Sequence, residues 1–198
     1  MLTSKINIDK MKLSVIMHTP GLGVKGKKAG EQMQRTVFSL LVDNTSGVLS
    51  RVAGLFSRRG YNIDSLTVGV TADQRYSRMT VVVNGDEQII DQIEKQLRKL
   101  EDVIEIKTLL DGKSVCRELI LLKIRAASSS RQDVIALSDV FRAKIVDVGE
   151  ESMVIELTGN QAKLEAFIEL LSDYEILELA RTGITGLSRG AQDVTYLD

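Results

Sequence analysis

From residue 36 onward the apolar positions of the chain alternate between two periods. "TVFSLLV" (residues 36–42) is a compact β-branched and apolar run that reads as a strand, and Val48, Leu49, Val52, Leu55 and Phe56 then recur at i, i+3, i+4 spacing. That spacing predicts a helix with one buried stripe, and Gly60 supplies its stop. "NIDSLTVGV" and "YSRMTVVV" are β-rich runs separated by the polar turn "TADQR", which predicts a hairpin. Ile89, Ile90, Ile93, Leu97 and Leu100 mark a second amphipathic helix. Asp86 and Glu87 open it at its positive end, and Arg98 and Lys99 close it at its negative end. "VIEIKTLL" (residues 103–110) completes the order βαββαβ.

After the turn "DGKS" the order repeats. "RELILLKIRA" is the strand, Val134, Leu137, Val140 and Phe141 the helix stripe, and "AKIVDVG" with "SMVIELTG" the hairpin. Leu164, Phe167, Ile168 and Leu171 form the last stripe before "EILELART". Each half is expected to lay two helices on one face of a four-stranded antiparallel sheet, a ferredoxin-like arrangement whose other face needs a cover. The fold class is therefore α+β, two such domains in tandem. Its expected divisions are an extension at residues 1–34, domains at 35–110 and 111–190, and a tail at 191–198.

This architecture hosts enzymes, RNA-binding domains and small-molecule sensors, so function must be read from sites. The loop "DNTSG" (residues 43–47) admits two readings. In one, Thr45 or Ser46 simply caps the first turn of the helix. In the other, the N–H groups of that turn hold a carboxylate, Asn44 accepts from an ammonium group, and Gly47 lets a ligand lie against the backbone. A carboxylate and an ammonium in one small site describe a free amino acid. Asn62, expected at the start of the next strand, is either a second amide closing such a site, from a neighbouring copy, or part of the turn that ends the helix. Arg58 and Arg59 read as a solvated, dipole-matched helix end.

Charge and chemistry narrow the classes further. With Lys+Arg 26 against Asp+Glu 27, the chain lacks the positive excess that nucleic-acid binding uses. No apolar run approaches the roughly 20 residues that span a bilayer, so neither nucleic acid nor membrane is an expected partner. The single Cys116 fits a reducing, cytoplasmic compartment and reads as a structural thiol. The single His18 has no second ligand or base near it in sequence, and no catalytic set or metal-ligand spacing is visible elsewhere. "GLGVKGKK" (residues 21–28) matches G-x-G-x-x-G, but no buried strand precedes it and no helix follows it, so it is not read as a phosphate loop. The segment around it reads as an extension or as sequence ahead of a start at Met33, with organelle targeting as the lesser alternative.

The stretches "DNTSGVLSRVAGLFSRRGYNIDSLTVG", "SRMTVVVNGD", "IEKQLRKLEDV", "RELILLKIRA", "FRAKIVDVG" and "ARTGITGLSRG" together resemble the regulatory, small subunits of acetolactate synthase, also called acetohydroxyacid synthase. The resemblance runs from Thr36 to Gly190. It implies that the first half is an ACT domain that pairs with a second copy of itself, binding valine or another branched-chain amino acid at the interface. It places Asn44, Gly47 and Val48 of one subunit, with Asn62 and Ile63 of the facing one, around that effector. It implies no catalytic residue, metal or cofactor in this chain. Thiamine diphosphate, magnesium and FAD belong to a separate catalytic subunit, which this one activates and makes sensitive to feedback in branched-chain amino-acid biosynthesis. Two rivals are an RNA-binding domain displaying Phe38 and Tyr76, and a stand-alone amino-acid sensor, which gives no reason for the second half.

Overall fold

The computed structural model describes residues 33–191. The expectations placed on His18, on the glycine-rich loop at 21–28, on the extension ahead of residue 33 and on the tail beyond 191 lie outside the described residues. Strand β1 (Gln34–Asp43) leads to helix α1 (Val48–Arg59), the hairpin β2 (Ser65–Val70) and β3 (Tyr76–Gly85), helix α2 (Glu87–Leu97) and β4 (Val103–Thr108). They form a four-stranded antiparallel sheet in the order β2-β3-β1-β4. Phe38 stands opposite Val81, and Leu40 opposite Met79 and Ile106. Because alternate residues share a face, these side chains meet Val52, Leu55 and Phe56 of α1 and Ile90, Ile93 and Leu97 of α2 in one core. The Asp86 carboxylate caps α2 by accepting from the Ile89 N–H at 2.8 Å.

The second half repeats the plan with β5 (Ser114–Arg125), α3 (Arg131–Phe141), β6 (Lys144–Val148), β7 (Ser152–Gly159), α4 (Gln161–Leu170) and β8 (Ile176–Arg181), in the order β6-β7-β5-β8. Ile120, Leu122 and Ile124 of β5 face Val134, Leu164 and Phe167 of the helices. Two expected core positions are corrected: Leu49, at the edge of the α1 stripe, is 45% exposed, and the second lies in α3. Val140 is 76% exposed, and Ser138 is buried instead, its hydroxyl donating to the Val134 carbonyl at 2.8 Å. At 100° per residue Val140 lies about 120° around the helix from Val134, while residue 138 lies about 40° away.

A ninth strand, β9 (Thr185–Ser188), pairs with the first residues of β5, Ser114–Arg117. The strap that leads into it, residues 182–184, crosses the back of the first sheet. There the Thr67 hydroxyl donates to the Ile184 carbonyl at 2.8 Å, and the Ile184 N–H donates to Ser65 Oγ at 3.0 Å. Beneath lie Ser39 and Thr80, cross-strand neighbours that are each 1% exposed. The sheet face that lacked a cover in the sequence pattern is thus covered by the second half of the same chain.

Candidate functional site

The loop between β1 and α1 is anchored by its own polar groups. The Asp43 N–H donates to the Asp102 carbonyl at 2.9 Å and the Asn44 N–H to the Arg75 carbonyl at 2.7 Å. The Asn44 side chain donates from Nδ2 to the Gln74 carbonyl at 2.8 Å, and its Oδ1 accepts from the Ser77 hydroxyl at 3.0 Å. Asn44 therefore ties the loop to the β2–β3 turn, and one lone pair of Oδ1 is left for another donor.

Neither Thr45 nor Ser46 caps α1. The cap position belongs to Gly47, at φ 89°, the Val48 N–H turns back to the Thr45 carbonyl at 3.5 Å, and among the described residues no side chain bonds the first-turn N–H groups. A left-handed residue immediately before the helix moves the cap past both hydroxyls and onto the one residue without a side chain. The start of α1 is thereby left as a set of backbone donors backed by the helix dipole, a natural place for an anionic group.

Arg51, one turn into α1, folds back over this glycine. Its Nε and Nη2 reach the two carboxylate oxygens of Asp102 at 2.5 and 2.7 Å. A Cβ on residue 47 would lie 2.8 Å from Arg51 Nη1. The guanidinium holds the Asp102 carboxyl below the usual carboxylate range, chiefly by its hydrogen bonds, and the carboxylate raises the Arg51 pKa in return. Neither residue stands out in the sequence: they are 51 positions apart, and only the fold brings β4's approach loop to the head of α1.

The remaining expected site residues divide by position. Val48 is 2% exposed, with its side chain in the core, so only its backbone faces the loop. Asn62 lies in the connection before β2, which begins at Ser65, and its amide donates to Asp64 Oδ1 at 2.9 Å. Ile63 packs half-buried against the first core. Asn44 and Gly47 precede α1, and Asn62 and Ile63 follow it. Twelve residues of helix separate the two groups, about 18 Å at 1.5 Å per residue. One protomer does not bring them together. Phe38 is fully buried on the helix side of the sheet and displays no surface on which a base could stack.

Two family models match the chain. One, described as the AHAS small subunit-like ACT domain, covers residues 38–105, and the other, the small subunit of acetolactate synthase, covers residues 117–190. The probable acetolactate synthase small subunit of Archaeoglobus fulgidus is 48% identical over 158 residues, 80% of this chain and 98% of that protein. The acetolactate synthase isozyme 3 small subunit of Escherichia coli is 48% identical over 157 residues, 79% of this chain and 96% of its own length. The crystal structure of the acetolactate synthase small subunit from Thermotoga maritima superposes with a TM-score of 0.74 at 42% identity, covering 80% of this chain and 99% of that one. The paired βαββαβ units, the first of ACT type, define a regulatory protein. The chain belongs to the acetolactate synthase small-subunit family. Its role is regulatory, and membership as a small subunit implies a catalytic large-subunit partner. Among the described residues no helix is long and apolar enough to cross a membrane, and no cluster of three His, Cys, Asp or Glu side chains is placed to hold a metal ion.

Proposed function

We propose that the chain binds valine, or another branched-chain amino acid, between two copies of its first half, activates the thiamine-diphosphate-dependent catalytic subunit and confers feedback inhibition on it. Thiamine diphosphate, magnesium and FAD are assigned to that partner and none of them to this chain. The observation that carries the reading is the hydrogen bonding of Asn44 to the β2–β3 turn. This bonding puts the Asn44–Gly47 loop at the far end of β2, whereas Asn62 and Ile63 stand just ahead of its near end. β2 is an edge strand, with Val68 46% and Val70 62% exposed. Pairing β2 antiparallel with the same strand of a second copy, about a two-fold axis, lays the near end of one on the far end of the other. Asn44 and Gly47 then meet the partner subunit's Asn62 and Ile63, although they are about 18 Å apart within one chain. The uncapped N–H groups of α1 take the carboxylate, and Asn44 Oδ1 and strand-end carbonyls take the ammonium.

Calorimetric titration with L-valine, compared with leucine, isoleucine and threonine, tests this. Saturable binding that prefers a branched-chain side chain, weakened about tenfold in Asn44→Ala, is the expected outcome. Because Asn44 also ties the β2–β3 turn, the variant's melting temperature is measured alongside. Absence of binding by all four amino acids would overturn the sensor reading.

A further inference from the structure

A cleft of about 420 Å³ opens between the two halves, away from the α1 loop, lined by Arg35, Asp64, Glu118, Gln161, Arg181 and the strap Thr182–Ile184. Its lining includes an ion pair. The Glu118 side chain is only 8% exposed, and Arg181 Nε and Nη2 each donate to one of its carboxylate oxygens at 3.1 Å. A carboxylate this deeply buried needs such a partner, and the pair is charge-neutral.

The other two charged groups of the cleft are not matched in this way. Asp64 accepts from the amides of Asn62, at 2.9 Å, and Asn84, two neutral donors, and has no cation among the described residues. Arg35 stands on β1 directly opposite Asn84 and has no hydrogen bond or ion pair among the described residues. Among the described residues the lining therefore presents a guanidinium without an acid and a carboxylate without a base, together with Gln161 and Thr182.

We propose that this cleft is a second small-molecule site, separate from the loop at α1 and adjoining the Asn62 that the proposed effector site draws from the facing copy, and that it takes a zwitterion. The acidic group of the ligand sits on Arg35 and its protonated amine on Asp64, by charge-assisted hydrogen bonds. The polar remainder lies against Thr182 and Gln161. A ligand held there touches both halves at once, because Asp64 belongs to the first and the strap to the second.

The test is a titration of the intact, isotope-labelled chain with glycine, L-glutamine and phosphoethanolamine, followed by backbone amide NMR shifts. Saturable shifts at Thr182, Gly183 and Ile184 with at least one probe are expected. Arg35→Gln, which removes an exposed group without a partner, should weaken that binding about tenfold, whereas Asn44→Ala should leave it unchanged. Methylammonium or acetate alone should bind at least tenfold more weakly than the probe. No shifts at the strap with any of the three probes, shifts confined to residues 44–51, or full affinity in Arg35→Gln would each overturn the proposal. Valine binding at the α1 loop is read out separately, so either site can fail without the other.

Discussion

At the scale of single residues, the glycine in "DNTSG" has two structural duties. Its φ of 89° is a conformation that L side chains rarely adopt, and the Arg51 guanidinium occupies the space a Cβ would need. Gly47→Ala should therefore destabilise the first half by about 1–2 kcal/mol, measured by urea denaturation. Arg51→Ala in the same chain should return only part of that loss, because it clears the contact and leaves the strained φ. The clamp partner makes a pH-dependent prediction. Asp102 has a lowered folded pKa, so its contribution is fully present above the ordinary aspartate value near about 3.9 and is lost as pH falls through the lower folded value. Asp102→Asn should be less stable than the natural chain at pH 7, and the gap should close as pH falls below about 4. Thr80 acts in the opposite sense. Its hydroxyl is buried with no hydrogen-bond partner among the described residues, so Thr80→Val should be neutral or stabilising by up to about 1 kcal/mol. The polar character of the loop was legible in sequence. The bonds that already engage Asn44 were not, since Gln74, Arg75 and Ser77 are about 30 positions away and carry no local signal.

At the scale of elements, the two halves share a backbone and differ in how they secure it. The Ala126 N–H donates to the Glu151 carbonyl as the Asn44 N–H does to that of Arg75, and the Arg125 N–H bonds the Glu175 carbonyl as that of Asp43 bonds Asp102. Where Asn44 ties the first loop to its hairpin turn, Arg131 does so in the second, its Nη2 donating to the Gly149 and Glu150 carbonyls at 2.9 and 2.7 Å. The periodicity that exposes the repeat reads this backbone, because burial of one face imposes it on every strand and helix. It misplaces Val140 because a short helix with apolar residues on several sides, Val134, Ile135, Leu137, Val140 and Phe141, offers more than one stripe. It misses β9 because four residues with a glycine among them, "TGLS", have too little alternation to read. The stripe correction has a direct check by thermal or urea unfolding. Val134→Ala should cost about 2 kcal/mol, while Val140→Ala should stay within about 0.5 kcal/mol.

On the scale of the whole molecule, each half has its own apolar core, and the strap ties one to the other by hydrogen bonds. Ile184 is held through its backbone by Ser65 and Thr67, and the residue before it, Gly183, is at φ 82° with its missing Cβ only 2.5 Å from Ser65 Oγ. Ser65 opens β2, the edge strand whose far end reaches the Asn44 loop, so the strap grips the element that an effector between two copies would fix in place. Conformational coupling of this kind needs a contact that differs between states, and the strap is positioned to supply one. Gly183→Ala combines a strained φ with a steric conflict at the Ser65 hydroxyl that holds the Ile184 N–H, so it should detach the strap without entering either core. Scanning calorimetry of the natural chain should give one cooperative transition, and the variant two, the first half melting earlier once Ser39 and Thr80 lose their cover. Paired with the catalytic subunit, the same variant should keep its affinity for valine within about twofold while valine loses most of its effect on the rate. A variant that melts as one unit and still transmits the effector would place the coupling in some other contact between the halves.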